Sequence, residues 1–156
     1  MSCSDYTIGL EGFDETYPEL ETLYRAHYKE MCDRLVADGI PMSPYNPRLD
    51  VYSKASKDGW LLTIVVRLEG KAVGYGNVYI TNDMHNGDLI AQEDTIYITK
   101  EHRNGIGKKL VQFGMEELRK RGVKRLNVQA ATDLRVAKLW QRMGYKHAAH
   151  NMTYIF

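Results

Sequence analysis

Apolar positions in the first part of the chain recur at helical spacing. Apolar residues three or four positions apart predict one long amphipathic helix, carried by Leu20, Leu23, Tyr24, His27, Met31 and Leu35. Pro18 suits the first turn of such a helix, with Thr16 or Asp14 as its capping residue. Gly39 and Pro41 predict its end, because neither residue continues a helix well.

Strand periodicity follows a proline-rich loop. The loop spans Ile40–Pro47, and a short helix fits between it and Gly59. Two runs with many β-branched residues then predict strands at Trp60–Leu68 and Ala72–Ile80. Glu69-Gly70-Lys71 joins them as a tight hairpin turn.

The remaining chain alternates strands and helices. After a polar loop at Asn82–Asp88, we expect a strand at Ala91–Ile98, a helix at Gly105–Arg121, a strand at Val123–Ala130, a helix capped by Thr132 or Asp133 and closed by Gly144, and closing strands at Tyr145–Ala149 and Met152–Phe156. This order predicts an α/β fold with a mixed, mostly antiparallel central sheet flanked by helices. No linker or repeat divides the chain, so we expect a single domain over residues 1–156.

Composition narrows the classes of function. The 156 residues carry 21 basic and 20 acidic side chains, a formal net charge of +1, which argues against a broad surface for nucleic acid. Only Cys3 and Cys32 are present, so we expect reduced thiols and a cytoplasmic protein. The longest apolar run, Trp60–Val66, is too short to span a bilayer. No histidine pair shows metal-ligand spacing, so we expect no metal.

The most informative segment is the turn before the helix at Gly105–Arg121. Gly105 and Gly107 remove side chains where a ligand could approach the backbone. The unpaired amides of a helix start favour a phosphate or pyrophosphate, and the neighbouring basic side chains of His102, Arg103 and Lys108 add positive charge. By itself this pattern also fits an ordinary glycine-rich turn. The required spacings for a Walker A loop or a dinucleotide fingerprint are missing.

The segment resembles the acyl-CoA-binding motif of the GNAT superfamily of acetyl-CoA-dependent N-acyltransferases. That motif reads Gln/Arg-x-x-Gly-x-Gly/Ala between a strand and the central helix. Gly105 and Gly107 match its glycines, and His102 stands where glutamine or arginine is usual. Arg103 comes one residue late, so the turn is one residue shorter than in the common version. The resemblance extends over about Trp60–Phe156 and covers the first helix only loosely.

A second block supports the resemblance and contains its main departure. Asp133 to Tyr145, with Leu139-Trp140-Gln141-Arg142-Met143-Gly144-Tyr145, is similar to the family's Asn…Leu-Tyr-x-x-x-Gly-Phe block. Trp140 stands where many members carry a tyrosine that protonates the leaving thiolate. An indole cannot act as a general acid at neutral pH. Another tyrosine, water or solvent would then protonate CoA, and Trp140 also fits a simple core position.

The resemblance implies direct acyl transfer from acetyl-CoA to an amine-bearing acceptor, which is a small molecule, a protein or a nucleobase. The strand ending at Ile98 would splay from Val123–Ala130, pair with the pantetheine arm and present an amide to the thioester oxygen. The expected cofactor-binding residues are Ile96, Tyr97, Ile98, His102, Arg103, Asn104, Gly105, Ile106, Gly107, Lys108, Asp133 and Trp140.

An attacking amine must lose a proton, and the candidate bases are Asp94 and Glu93. Side chains alternate along a strand, so at most one of the two can face the cleft. Asp94 falls where the family often carries a carboxylate base, and a surface role remains the alternative for both. His85 and Tyr79 are candidate substrate-binding residues; Tyr79, like Tyr75 and Tyr97, lines the cleft or packs the sheet.

Two other functions remain open at this level. The missing tyrosine at Trp140 is compatible with a catalytically silent acyl-CoA-binding module. A run of basic residues is compatible with a nucleic-acid-associated accessory protein, although a charged helix is usually a solvated face; it comprises Lys100, Arg103, Lys108, Lys109, Arg119, Lys120, Arg121, Lys124 and Arg125. The resemblance also leaves open a homodimer and a bacteriophage-encoded origin.

Overall fold

The computed structural model describes residues 5–131 and 133–156, and five strands form one mixed sheet with four α-helices against it. The elements are β1 (Tyr6–Glu11), α1 (Phe13–Ala37), α2 (Leu49–Lys57), β2 (Leu61–Leu68), β3 (Lys71–Asn82), β4 (Leu89–Ile98), α3 (Ile106–Lys120), β5 (Arg125–Asn127) and α4 (Leu134–Arg142). The strand order is β1-β2-β3-β4-β5; the first four strands are antiparallel, and β5 is parallel to β4. The expected mixed, mostly antiparallel sheet is confirmed.

The two faces of the sheet bury different kinds of side chain. Toward α3, the core is aliphatic and centres on Ile64, Val66, Ile98, Ile106 and Leu110. Toward α1 and α2 it is rich in aromatic rings, which include Phe13, Tyr24, Tyr75 and Tyr97. Tyr75 and Tyr97 are buried, so these two tyrosines pack the sheet.

The central strands and helices lie where the hydrophobic periodicity predicts them, and the backbone between β2 and β3 is that of a tight hairpin turn. Glu69 and Gly70 have φ values of 50° and 81°, and positive φ at both positions matches the twist of the strands that they connect. α2 confirms the short helix before Gly59. Asp133 caps α4 by accepting a hydrogen bond from the Arg135 amide. Thr132, its alternative, and Cys3 lie outside the described residues.

The N-terminal prediction needs two corrections. β1 was not predicted, although Tyr6, Ile8 and Leu10 alternate with more polar neighbours. α1 begins at Phe13 after Gly12, so neither Asp14 nor Thr16 is its cap; the Thr16 hydroxyl donates to the Gly12 carbonyl from inside the helix. Pro18 also lies inside α1, close enough to the start for the helix to continue.

The C-terminal prediction is wrong in its closing strands. Residues 145–156 form no strand, and the segment predicted as Val123–Ala130 is regular only at Arg125–Asn127. A strand requires a partner backbone, and this edge of the sheet offers only the three residues of β5. Met152 and Phe156 are accordingly exposed.

A buried polar chain links α1 to the centre of the sheet. Asn77 is fully buried; its Oδ1 accepts a hydrogen bond from the Thr63 hydroxyl at 2.9 Å, and its Nδ2 donates to the Tyr24 hydroxyl at 2.6 Å. Satisfying each polar group in this way avoids the cost of an unpaired one in the core.

We expect Asn77→Ala to lower the free energy of unfolding by about 2 to 4 kcal/mol, because two buried hydrogen bonds are lost and their partners stay behind unpaired. Asn82→Ala, at the exposed end of the same strand, is the matched control and should cost less than about 1 kcal/mol. Urea denaturation measures both. Equal losses in the two variants would contradict a structural role for the buried chain.

Candidate active site

The entrance to α3 is an uncapped helix start. Gly105 is its N-cap residue at φ 100°, a left-handed conformation that disfavours any residue with a Cβ. No side chain caps this end within the described part of the chain. The first-turn amides of Ile106, Gly107 and Lys108 have no carbonyl one turn earlier in the helix to accept their hydrogen bonds. These amides and the helix dipole favour an anion.

Gly107 leaves space beside these amides. A Cβ built at this position would meet only the Ile98 Cγ1 atom, at 3.9 Å, within a 4 Å radius. Packing inside the described structure therefore does not require glycine at position 107. The absence of a side chain instead keeps the first turn of α3 accessible to a ligand.

Most side chains of this turn are engaged with the protein itself. His102 Nδ1 lies 2.9 Å from the Tyr6 hydroxyl, and the side-chain Nδ2 of Asn104 donates to the same hydroxyl at 3.2 Å. Arg103 donates to the Ile98 carbonyl at 2.8 Å and forms an ion pair with Glu30 at 3.0 Å. These side chains order the turn, which leaves the backbone amides and the exposed Lys108 as the groups available to an anion.

β4 parts from β5 in the middle of its length. The parallel pairing covers only Ile90–Arg125, Ala91–Leu126 and Gln92–Asn127. Beyond it, the Thr99 amide bonds to β3, so alternation directs the amides and carbonyls of Ile96 and Ile98 away from β3, toward the open edge. The expected splay is therefore present, with Ile96 and Ile98 on its accessible edge, whereas the Tyr97 backbone faces β3.

Two side chains form hydrogen bonds with the backbone of Gln129, close to where β4 and β5 separate. The Gln129 amide donates to Glu93 Oε2 at 3.2 Å, and the Trp140 indole N–H donates to the Gln129 carbonyl at 3.2 Å. Trp140 is buried and packs on Tyr145 with ring centroids 5.1 Å apart. Trp140 therefore acts here as a support for the chain after β5.

α1 brings the two predicted cofactor-binding blocks to the same side. Glu30 binds Arg103 at the entrance to α3, and Arg34, one helical turn later, lies 3.9 Å from Asp133 at the start of α4. Residues four positions apart on a helix are neighbours on its surface. The motif turn and the second block, distant in sequence, therefore flank the same stretch of α1.

A one-residue bulge in β4 determines the directions of the two candidate bases. Asn77 pairs with Thr95 and Val78 pairs with Glu93, so Asp94 has no partner in the ladder. Asp94 contacts Tyr52 on α2, whereas Glu93 lines a cavity against α3. The two carboxylates lie on opposite faces, as alternation predicts.

Asp94 is held through one of its two oxygens. The Tyr52 hydroxyl donates to Oδ2 at 3.0 Å, and the Thr95 hydroxyl lies 3.2 Å from the same oxygen. Among the described residues, no ion pair reaches Asp94, and Oδ1 accepts no hydrogen bond. Surrounding rings desolvate the exposed carboxylate and raise its pKa, while its two hydrogen bonds act in the opposite direction. An accessible oxygen with raised basicity suits a general base.

Glu93 has a different environment. Burial raises the pKa of its carboxyl from the usual 4.5 to about 7, the Gln129 amide opposes this, and the charge of Asp94 adds to it. It borders a cavity of about 30 Å³, otherwise apolar except for the Tyr145 side chain. The Tyr145 hydroxyl is buried without a hydrogen-bond partner among the described residues, and burial and Glu93 raise its pKa to about 12.

The two predicted substrate residues differ in position. Tyr79 packs its ring on Tyr52 and Trp60 beside Asp94, with centroid distances of 6.4 Å and 5.5 Å. His85 lies in the loop between β3 and β4, with an almost fully exposed side chain, and its hydrogen bonds go to Asp83 in the same loop. The structure brings Tyr79, but not His85, to Asp94.

Sequence reasoning missed Tyr52, Gln129 and Tyr145. Tyr52 is separated from Asp94 by 42 positions, and its helix was predicted without a role. Gln129 contributes its backbone, for which side-chain type carries no signal. Tyr145 belongs to the second block, but its hydroxyl is directed into the cavity beside Glu93.

Two further features bear on the class of chemistry. None of the helices in residues 5–131 and 133–156 combines the length and apolar character needed to cross a membrane. In the same residues, no group of three or more histidine, cysteine, aspartate and glutamate side chains is arranged to hold a metal ion. The assembled features are an anion-binding helix start, an open strand edge and an accessible carboxylate, which together suit transfer of an acyl group from a phosphate-containing donor.

Comparison with known proteins identifies the family. Residues 17–145 match the acetyltransferase (GNAT) family. The chain therefore belongs to this family and is an acetyltransferase of the GNAT type. Among curated proteins, none matches the chain significantly.

Solved structures share the fold along nearly the whole chain. An aminoglycoside acetyltransferase from an uncultured soil metagenomic sample superposes with a TM-score of 0.76 at 17% identity, covering 99% of this chain and 98% of that one. A ribosomal-protein-alanine N-acetyltransferase from Brucella melitensis gives 0.68 at 20%, with 96% and 98% covered. Glucosamine-6-phosphate N-acetyltransferase from Arabidopsis thaliana gives 0.65 at 16%, with 96% and 99% covered. At these identities the likeness is one of fold.

The raised pKa of Glu93 predicts a pH-dependent difference in stability. Because the folded state favours the protonated carboxyl, its stabilising contribution is full below about pH 4.5 and is lost as the pH rises through about 7. Glu93→Gln removes this titration. Between pH 5 and pH 8 the variant should gain stability relative to the parent protein by on the order of 3 kcal/mol.

Denaturant unfolding at several pH values measures this difference, since other titrating groups are common to both proteins. Gln112→Ala, an exposed change on α3 that removes no titrating group, is the control and should give a flat difference. A flat profile for Glu93→Gln as well would show that Glu93 titrates normally.

Proposed function

We propose that this acetyltransferase transfers the acetyl group of acetyl-CoA to a primary amine by direct attack, with Asp94 as the general base. The observation that carries the proposal is the Asp94 carboxylate, accessible beside β4 and bound by protein donors at Oδ2 alone. Glu93 supports the open strand pair from the other face through the Gln129 amide.

The residues present fit acetyl-CoA, which supplies an acyl group activated as a thioester. The amides of Ile106, Gly107 and Lys108 would hold the pyrophosphate at the start of α3. The Ile98 carbonyl already accepts from Arg103, so the backbone groups of Ile96 and the Ile98 amide would pair with the pantetheine arm, and one of the two amides would stabilise the thioester oxygen. His102, Arg103 and Asn104 would order the turn, while Asp133 and Trp140 would stabilise the opposite wall of the cleft.

The chemistry then follows from proton balance. A bound ammonium gives one proton to Asp94 Oδ1, and the freed nitrogen lone pair forms the C–N bond as the thioester C–S bond breaks. Of the two protons that nitrogen loses, one ends on the CoA sulfur and the other reaches solvent through Asp94. The Trp140 indole takes no part in proton transfer, because its N–H is bonded to the Gln129 carbonyl.

The alternatives receive less support. A silent binding module would not require a carboxylate with one unbonded oxygen beside the open strand edge. The basic run is partly neutralised, since six of its nine cations pair with four acidic side chains of the described residues: Lys100, Arg103, Arg119, Lys120, Arg121 and Arg125. Residues 1–156 as a single catalytic domain, a cytoplasmic location, a homodimer and a phage origin stay predictions.

Fold alone does not identify the acceptor. The similar structures carry the names of enzymes for aminoglycosides, for the alanine of a ribosomal protein and for glucosamine 6-phosphate. These amines differ in charge and shape, so the acceptor of this chain must be inferred from its own site.

Gly107→Glu tests cofactor binding. The carboxylate would occupy the space beside the first-turn amides, while its charge at a helix start should leave α3 folded. We expect affinity for CoA to fall roughly 10- to 100-fold, as for losing one or two charge-assisted hydrogen bonds. Gln112→Glu adds the same charge to an exposed position farther along α3 and should bind as the parent does. Isothermal titration calorimetry with CoA decides the matter, and unchanged affinity in Gly107→Glu would refute the site.

Asp94→Asn tests the base. We expect kcat/KM for acetyl transfer to fall roughly 100- to 10,000-fold, because the proton acceptor is gone. The acidic limb of the pH profile, where kcat/KM falls as the base is protonated, should disappear. Glu93→Gln is the matched control on the next residue, and should retain both the acidic limb and kcat within a few-fold. Thiol release with a panel of amines across pH 5 to 9 measures this. An unchanged profile in Asp94→Asn would contradict the assignment.

A further inference from the structure

An aromatic patch surrounds the proposed base. We use this name for the rings of Tyr52, Tyr79 and Trp60 together with Asp94. Tyr79 stacks on Tyr52 and contacts Trp60, and Tyr52 bonds directly to the carboxylate. Trp60 is 38% exposed, Tyr52 and Tyr79 are half-buried, and Asp94 is exposed, so a ligand can reach the whole patch.

The patch carries one unbalanced negative charge. No basic side chain of the described residues forms an ion pair with Asp94. Three other carboxylates on α1 and α2 are already paired: Asp14 with Lys57, Glu21 with Arg25 and Asp50 with Arg48. A ligand with one positive charge therefore balances the patch, and additional charges have fewer free partners.

The rings add a second preference. The face of a tyrosine or tryptophan attracts a cation and favours apolar or aromatic surface. Burial, with the charge of Asp94 as a second cause, raises the pKa of Tyr52 and raises that of Tyr79 to about 12, so both hydroxyls stay protonated and neutral at physiological pH. An anionic group on the ligand would meet Asp94 and the electron-rich faces with no cation to offset it.

We propose that the acetyl acceptor is a monocationic primary amine on an aromatic or apolar body without an anionic group, selected by Asp94 and the rings of Tyr52, Tyr79 and Trp60. This inference rests on the proposed function, because it places the reacting nitrogen at the proposed base. It makes Tyr79 a specificity residue that acts through its ring. A sugar phosphate or an amino acid is excluded by its negative charge, and an aminoglycoside is disfavoured by its many positive ones.

Three ligands of one shape test the charge requirement. 2-Phenylethylamine carries the single ammonium, 2-phenylethanol replaces it by a neutral hydroxyl, and phenylalanine adds a carboxylate. In calorimetry with CoA-saturated protein, we expect the amine to bind roughly tenfold or more tightly than either analogue, as one desolvated cation contact and an ion pair allow. Sisomicin, which is bound in one of the similar structures, tests a ligand with several positive charges and should bind more weakly than the amine.

Variants locate the effect. Asp94→Asn should remove the preference for the amine over the alcohol. Tyr79→Leu should weaken amine binding roughly fivefold, whereas Tyr79→Phe, which keeps the ring, should retain it. Tyr154→Leu replaces a tyrosine that is 79% exposed and outside the patch, and should bind as the parent does.

The binding results and the transfer results test the inference and the proposed function separately. Equal binding of the alcohol or of phenylalanine, tighter binding of sisomicin, or an unchanged preference in Asp94→Asn would overturn the inference. Acetyl transfer is scored separately by thiol release. If the amine binds as expected without any transfer, the proposed function fails and the recognition stands; if transfer occurs only with amines of another class, the function stands and the inference fails.

Discussion

The parting of β4 from β5 is the constraint on which the rest of the site depends. The two strands share only three residue pairs, and the last of them joins Gln92 to Asn127. A backbone that leaves a ladder must satisfy its polar groups elsewhere. Here the Glu93 carboxylate and the Trp140 indole bind the amide and carbonyl of Gln129. The cleft is thus stabilised where the two strands separate, while the backbone of Ile96 and the Ile98 amide stay available to a ligand.

The same strand separates two carboxylates that are adjacent in sequence. Alternation places the two carboxylates on opposite faces, and the bulge at Asp94 decides which face each one takes: Asp94 faces the rings near α2, and Glu93 faces the aliphatic side near α3. Desolvation raises the pKa of both carboxyls, and protein donors reach one oxygen of each, but only Asp94 is exposed. Under the proposed function, Asp94 is therefore the proton acceptor and Glu93 a structural support.

Trp140 illustrates how a departure from a family pattern can be compensated. The residue lacks the acidic hydroxyl that many relatives carry, yet it is buried and bonded to the backbone that forms the wall of the cleft. Its loss would leave the Gln129 carbonyl without its indole donor. The tryptophan therefore bears on the shape of the cleft, and under the proposed function another group protonates the thiolate.

Local patterns in the sequence determined most of the elements and the cofactor turn. The helix at Ile106–Lys120, the hairpin at Glu69 and Gly70, and the Asp133 cap follow from periodicity and backbone preference, which act over a few residues. The glycine pair likewise predicts an anion site without any knowledge of the fold, and the structure places the pair at an uncapped helix start.

Only the tertiary structure decided which carboxylate is exposed, which backbone Trp140 binds and which tyrosines surround Asp94. The unpaired residue of the bulge reverses which face of the sheet the neighbouring β4 side chains take, and no residue type in the sequence marks its position. Tyr52 and Asp94 meet because α2 packs over the sheet, and the closing strands fail because β5 is too short to pair with them. These features depend on contacts between distant segments, whose geometry local periodicity does not contain.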